Sequence, residues 1–401
     1  MSLPSRDDFP MLRRRHEGKR IVYLDSAAST PSPRAVLTRE LSCREELGAN
    51  VHRGRHLLSE EASLAYDQAR ARVARFIGAE PRSIVFVRGA TEAINVVARG
   101  LALQKDDVVL TTIAEHHSNL LPWLRQATVV YVDGPLHRPL DPLEIRRALF
   151  HRRPKVFAFH HASNVTGVVQ PVAELCAVAR ELGVTTLVDA AQSVPHLPID
   201  VEELGADFLA FSGHKMLGPK GIGVLYGRPD MLARLEPLCV GGGAVESVRR
   251  DGFTLRPPPE GLEAGTPNVG GAVALAAAMD FLDAAGRDAV VAHGKRLAAL
   301  LREATAKLPV QRVLVAAESE SIPIASLILR PGGISCDQLA VILSDSFGVM
   351  VRSGLLCAHP LFAELGASDG AIRASAYLYN DEDDVHFFAE SCRTILERFG
   401  G

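Results

Sequence analysis

Between residues 83 and 226, short runs of β-branched and apolar residues alternate with segments of helical periodicity, and this alternation constrains the fold more than any other feature of the chain. The candidate strands are Ser83–Val87, Asp107–Thr112, Thr128–Val132, Val156–His160, Thr185–Val188, Phe208–Phe211 and Ile222–Tyr226. In Ala90–Leu103, the residues Ile94, Val97, Ala98 and Leu101 fall at the i, i+3, i+4, i+7 spacing of one buried helix stripe. Pro171–Leu182 passes the same test, with Pro171 near its start and Gly183 as its stop. Strand–helix alternation predicts an α/β fold with a mainly parallel, seven-stranded sheet covered on both faces.

Pro257-Pro258-Pro259 reads as a surface loop. Beyond it, the apolar helix Val269–Leu282, the polar helix Asp288–Leu308, the strand Ala325–Leu329 and the helices Cys336–Ser346 and Asp383–Phe399 describe a smaller α/β unit. A chain of 401 residues exceeds the roughly 250–300 at which a single core stops growing. Two domains are therefore expected: a large one over 18–283, and a small one formed by 1–17 together with 284–401.

Composition narrows the function. The net charge of −3 leaves no electrostatic footprint for nucleic acid or an anionic membrane. The one basic cluster, Arg13-Arg14-Arg15, reads as a solvated helix face. No apolar run approaches the ~20 residues of a membrane span, and Met1 to Pro10 lacks the apolar run of a signal peptide, so a cytoplasmic location is expected. The six cysteines (Cys43, Cys176, Cys239, Cys336, Cys357 and Cys392) form no CxxC pair, which argues against a zinc knuckle or a disulfide framework. Most of them read as small core residues. No GxGxxG follows a strand and no GxxxxGK[ST] occurs, which disfavours dinucleotide and P-loop chemistry. His116-His117, His160-His161 and the His52/His56 spacing raise a metal-hydrolase reading. None forms HExxH, and neighbouring histidines at a strand end point in different directions, so no metal is expected.

Ligands of open α/β sheets bind beyond the carboxyl ends of the strands. Five candidate strand ends carry reactive side chains: Arg88-Gly-Ala-Thr91-Glu92, then Glu115, His116, His117 and Asn119, then His160, His161, Ser163 and Asn164, then Asp189-Ala-Ala-Gln192, and Ser212-Gly-His-Lys215. A lysine behind an apolar strand loses hydration, its pKa falls, and it becomes a nucleophile toward an aldehyde. Asp189 is either a helix N-cap or the anion that keeps a pyridinium nitrogen protonated. Gly89-Ala90-Thr91-Glu92 at a helix start is a natural phosphate cradle, which Ser212 and His214 can complete, although Thr91 alone also suits an N-cap. Together these point to pyridoxal 5'-phosphate (PLP).

The motifs that carry a family resemblance run from Tyr23-Leu-Asp-Ser-Ala-Ala-Ser-Thr30 to Ile372-Arg-Ala-Ser375. Between them stand Asn50-Val-His-Arg-Gly-Arg-His56, Glu115-His-His-Ser-Asn119, Ser212-Gly-His-Lys215, Glu263-Ala-Gly-Thr-Pro-Asn268 and Arg352-Ser-Gly-Leu-Leu-Cys357. With these the chain resembles the class V aminotransferase superfamily of fold-type I PLP enzymes, and within it the SUF-type (group II) cysteine desulfurases and selenocysteine lyases. The resemblance implies that Lys215 binds PLP covalently and moves the substrate α-proton, that Asp189 pairs with the pyridine nitrogen, and that His116 stacks on the ring, with His117 packing behind it. It implies that Gln192 and Asn164 bind the phenolic oxygen or the substrate, and that Ala90, Thr91, Ser212 and His214 hold the phosphate. Thr266 would reach the phosphate of a partner subunit in a homodimer. Arg373 would clamp the substrate carboxylate, with Arg352 and Arg53 nearby.

Cys357 matches the cysteine that carries sulfur as a persulfide, favoured as thiolate by Arg352. The implied reaction converts L-cysteine to L-alanine and passes the persulfide to an acceptor protein, for Fe–S or sulfur-cofactor biosynthesis. One departure stands out. The SUF-type pattern has two histidines before this cysteine, and here they are Leu355 and Leu356. A selenocysteine lyase, a C–S β-lyase and, more remotely, a catalytically silent scaffold are the competing readings.

Overall fold

The computed structural model describes residues 3–317 and 321–399. The expected small domain also includes 1–2, 318–320 and 400–401, which lie outside the described residues. The main sheet contains β1 (Ile84–Val87), β2 (Val108–Thr112), β3 (Thr128–Val132), β4 (Val156–His160), β5 (Thr185–Asp189), β6 (Phe208–Ser212) and β7 (Gly223–Gly227). Their spatial order is β1-β7-β6-β5-β4-β2-β3. Only β7 runs antiparallel to its neighbours. The other six strands therefore end on one edge, and the reactive strand ends of the sequence converge there.

Apart from the edge strand β3, the strands are buried on both faces because successive side chains alternate between two cores. Phe157 and Phe159 enter one core with Val188 and Phe211, whereas Val156 and Ala158 enter the other with Leu187 and Ala210. The helices of ten residues or more are α1 (Arg34–Glu46), α2 (Leu57–Phe76), α3 (Ala90–Gly100), α4 (Pro142–Arg152), α5 (Val172–Glu181), α6 (Val269–Ala285), α7 (Arg287–Ala306) and α8 (Glu382–Phe399). Helix α3 covers one face of the sheet with Trp123, while α2, α5 and α6 cover the other. A third core joins α7 and α8 to a three-stranded antiparallel sheet of β8 (Arg312–Leu314), β9 (Ile324–Ile328) and β10 (Ile372–Ser375). This is the smaller α/β unit anticipated downstream. The N-terminal strand Val22–Tyr23 pairs in parallel with Val349–Met350 beside it.

Several elements depart from the sequence expectation. The helix expected over Cys336–Ser346 is α-helical only to Ile342 and continues as a wider π-type turn, Leu343–Phe347, closed by left-handed Gly348 at φ +72. The arginine cluster is exposed but not a helix face: Arg13 ends a 3-10 turn and Arg15 enters a two-residue strand. Helices α1, α2 and α4 are additions to the elements expected from the sequence. Helix α1 buries only Val36 and Cys43, and α2 buries three alanines with Tyr66, Val73, Phe76 and a charged Arg70.

Arg70 is satisfied by a two-pronged ion pair with Glu263 (2.7 and 2.8 Å), whose carboxylate also accepts from Tyr66 Oη (2.9 Å) and the Phe86 amide (2.6 Å). This pins the loop that carries Thr266 to β1. Gly223 lies against the turn between β1 and α3. A Cβ there would stand 2.5 Å from Gly89 Cα and 2.7 Å from Phe211 O. Gly223→Ala is therefore expected to destabilise the fold by about 1–3 kcal/mol through overpacking, read as a lower urea midpoint. An unchanged midpoint would show that β7 can shift aside.

Candidate active site

A cavity of about 250 Å³ opens at the common edge of the sheet, bounded by the ends of β4, β5 and β6, the loop after β2, and the start of α3. Asp189 is the last residue of β5 and is buried, with Oδ1 accepting the Ala191 amide (2.9 Å). Strand β6 lies beside β5 with Ala210 opposite Asp189, and a single 3-10 turn, Gly213–Lys215, brings Lys215 into the same cavity. The turn is locked by the Thr30 amide donating to His214 O (2.8 Å) and the Leu217 amide donating to Thr30 Oγ1 (2.8 Å). Burial lowers the Lys215 pKa while the Asp189 charge pulls it back up; burial raises Asp189 while Lys215 pulls it down. The low dielectric thus favours a neutral, nucleophilic amine, and the carboxylate remains within its electrostatic reach.

The other expected residues converge on this pair. His116 lines the cavity and accepts the Ser118 amide at Nδ1 (3.1 Å). Burial first, then the charge of Lys215, lowers its pKa to about 3, so it is a neutral ring at physiological pH. Its loop is anchored by buried Glu115, which takes bonds from Thr112 Oγ1 (2.8 Å), His160 Nδ1 (2.7 Å) and Asn119 Nδ2 (2.7 Å). Burial pushes His160 down, but the charge and hydrogen bond of Glu115 outweigh this and its pKa is raised.

At the α3 start, the Ala90 amide donates to Ser212 Oγ (2.8 Å) and Thr91 Oγ1 meets Ser118 Oγ (2.7 Å). Helix geometry leaves the next amides free of intrahelical partners. His214 is a cavity residue held neutral by burial and by Lys215, with a pKa near 4. Arg373 is buried on β10, with Nη1 donating to Asn164 O (3.1 Å), Nη2 paired with Asp25 Oδ1 (2.9 Å), and Nε without a partner. Arg352 faces it across a backbone bridge, and Cys357 is half-buried on the same wall.

Two anticipated contacts are already in use: Gln192 Nε2 donates to Ala27 O (2.8 Å) and Asn164 Nδ2 to Leu356 O (3.0 Å). Arg53 and Thr266 do not line this cavity. Arg53 is exposed, with its guanidinium against Gly242 and Gly243, and Thr266 is exposed on the Glu263 loop. Asp25, Ser118 and Leu356 had been given no role. Asp25 does lie in the Tyr23–Thr30 motif, but its partner Arg373 is 348 residues away along the chain.

This geometry defines an enzyme of amino acids that uses a lysine-bound aromatic aldehyde. The amine and the carboxylate suit the aldehyde and the pyridine nitrogen. The α3 start suits a phosphate, and the unpartnered Arg373 Nε suits a carboxylate. A class V aminotransferase family model matches residues 22–388, and the chain belongs to that family. Its cofactor is PLP, which Lys215, Asp189, His116, Ser212 and the α3 amides would hold.

Among its relatives, a probable cysteine desulfurase of Aeropyrum pernix is 41% identical, covering 98% of this chain and 97% of that protein. Probable cysteine desulfurase 2 of Mycobacterium leprae is 40% identical, with coverage of 98% and 96%. The apo cysteine desulfurase of Thermococcus onnurineus superposes with a TM-score of 0.92 at 36% identity over 99% of both chains. A cysteine desulfurase of Escherichia coli in its S-sulfonic acid form gives 0.86 at 35% identity over 98% of both.

Borohydride reduction of the protein with PLP is expected to fix one pyridoxyl group on the Lys215 peptide, seen by mass spectrometry. Lys215→Ala should take up none there, and labelling of another lysine at equal yield would displace Lys215 from the site.

Proposed function

We propose that the protein is a cysteine desulfurase of the SUF type, converting L-cysteine to L-alanine and carrying the released sulfur on Cys357. The observation that carries this reading is the half-buried Cys357 thiol opening into the same cavity as Lys215 and Arg373. Full-length similarity to proteins named cysteine desulfurase supports it.

Bound PLP supplies an electron sink for the substrate α-carbon. Arg373 holds the substrate carboxylate, its guanidinium aimed by Asp25 and Asn164 O. Lys215, whose pKa burial lowers, takes the α-proton at Nζ and returns a proton to carbon. His116, kept neutral by burial and by Lys215, would pack against the cofactor ring. The Cys357 thiolate attacks the substrate Sγ: an S–S bond forms, the Cβ–Sγ bond breaks, and its electron pair stays with Cβ, which is protonated. Alanine leaves and Cys357 retains a persulfide for a thiol acceptor, whose destination is sulfur-cofactor or Fe–S assembly.

The working form is a cytoplasmic homodimer in which Thr266 and Arg53 serve the partner's site, since neither lines the cavity of its own chain. Leu57, Leu64, Val248 and Phe253 are large apolar side chains exposed on α2 and on the hairpin Val245–Arg249/Gly252–Leu255, and a second chain would cover them. The large PLP-binding domain is assigned to 18–283 and the small one to 1–17 with 284–401.

Cys357→Ala is expected to keep PLP binding and to lose sulfide release from L-cysteine under reducing conditions by at least about 100-fold, a loss typical of a deleted nucleophile. Alanine should be the organic product of the unmodified enzyme. Pyruvate with ammonia, at a rate unchanged in Cys357→Ala, would instead establish a β-lyase.

A further inference from the structure

The backbone around Cys357 is strained. Leu356 and Cys357 both adopt left-handed φ values, +47 and +57. Consecutive non-glycine residues in this region are strained and persist only where their surroundings over-determine them. Five contacts hold the segment. Leu356 is buried among Val165, Ala358, Leu361 and Phe362, and its carbonyl accepts Asn164 Nδ2 (3.0 Å). The Ala358 amide closes a turn onto Leu355 O (2.8 Å), and Cys357 O accepts the His117 amide (2.8 Å). The last contact is made by a side chain: His117 Nε2 accepts the His359 amide (3.2 Å), and His359 Nδ1 stands 2.6 Å from the same nitrogen. The two imidazoles are stacked, with centroids 4.3 Å apart and planes 13° apart.

The His117 Nε2 lone pair is thus aimed at the first amide of the short helix His359–Glu364, two residues past the reactive cysteine. Burial and the neighbouring His359 lower the His117 pKa, which keeps that lone pair available. The two residues that precede Cys357 are leucines and contribute apolar packing. Imidazoles return to the loop from elsewhere, one from the β2 end and one from the residue pair after the cysteine.

We propose that His117, acting through His359, is the positioning residue that holds the Cys357 loop in its strained, cavity-facing conformation for attack on the substrate sulfur. The inference rests on the desulfurase reading of Cys357. His117 takes no part in bond making; it acts by accepting a hydrogen bond. An acceptor of similar reach must then replace it, and glutamine offers one in Oε1.

The test compares His117→Ala, His117→Gln and His359→Ala, each loaded with PLP. Two readouts are taken: iodoacetamide alkylation of the Cys357 peptide, followed by mass spectrometry, and steady-state sulfide release from L-cysteine. His117→Ala is expected to change the alkylation rate of Cys357 and to lower kcat about tenfold, the worth of one hydrogen bond to a strained loop, with KM within about twofold. His117→Gln is expected to recover both readouts to within about threefold of the unmodified enzyme, and His359→Ala to fall between them because the backbone donor remains. Equal losses in His117→Ala and His117→Gln would overturn positioning in favour of proton transfer by the imidazole. Unchanged alkylation and kcat in His117→Ala would overturn the proposal outright. The desulfurase reading fails separately, if Cys357→Ala still releases sulfide.

Discussion

The site depends on two opposite charges delivered by neighbouring parallel strands into one dry cavity. Asp189 ends β5, and Lys215 follows the end of β6 after one tight turn. Each is a costly group to bury alone, and each offsets the other's desolvation. The balance leaves the lysine easier to deprotonate than it is in water and the carboxylate in place to face a protonated ring nitrogen. The remaining walls preserve that balance. His116 and His214 are held neutral by the same burial, so neither adds a competing positive charge beside Lys215.

Around this pair the frame is rigid on three sides and strained on the fourth. The β1–α3 turn depends on a glycine at 223, and the turn that carries Lys215 is locked by Thr30. The His116 loop is fixed by Glu115 and His160. The fourth wall, 352–359, holds two residues in left-handed geometry, where a change in a single contact can shift a reactive atom. Stored strain at the nucleophile, supported by a rigid shell, fits a step that needs one thiol at one distance from a substrate sulfur. Leu355 and Leu356 belong to that support, since they pack into an apolar cluster and offer no proton.

Much of this was legible in the chain. The seven strands agree with the alternation of apolar runs to within a residue or so, because β-branched runs buried on both faces leave an unmistakable mark. The strand ends announced Asp189, Lys215, His116 and Ser212, because polar side chains after buried strands have no packing reason to be there. Helix α1 left little mark because it buries only Val36 and Cys43, and α2 because alanines, a tyrosine and a paired arginine take up much of its buried face. The two-pronged partner of Arg70 lies 193 residues downstream, so its burial could not be read locally.

The chain alone therefore determined the fold class from local periodicity, and side-chain chemistry at strand ends together with a family resemblance pointed to the cofactor and to the residues proposed to meet it. Only the tertiary structure decided which groups are already spent on one another. The pairings of Asp25 with Arg373, of Asn164 with the Leu356 carbonyl, and of His117 with His359 join residues 348, 192 and 242 positions apart. Such pairings arise where separate elements pack together, and no local pattern in a sequence records that distance.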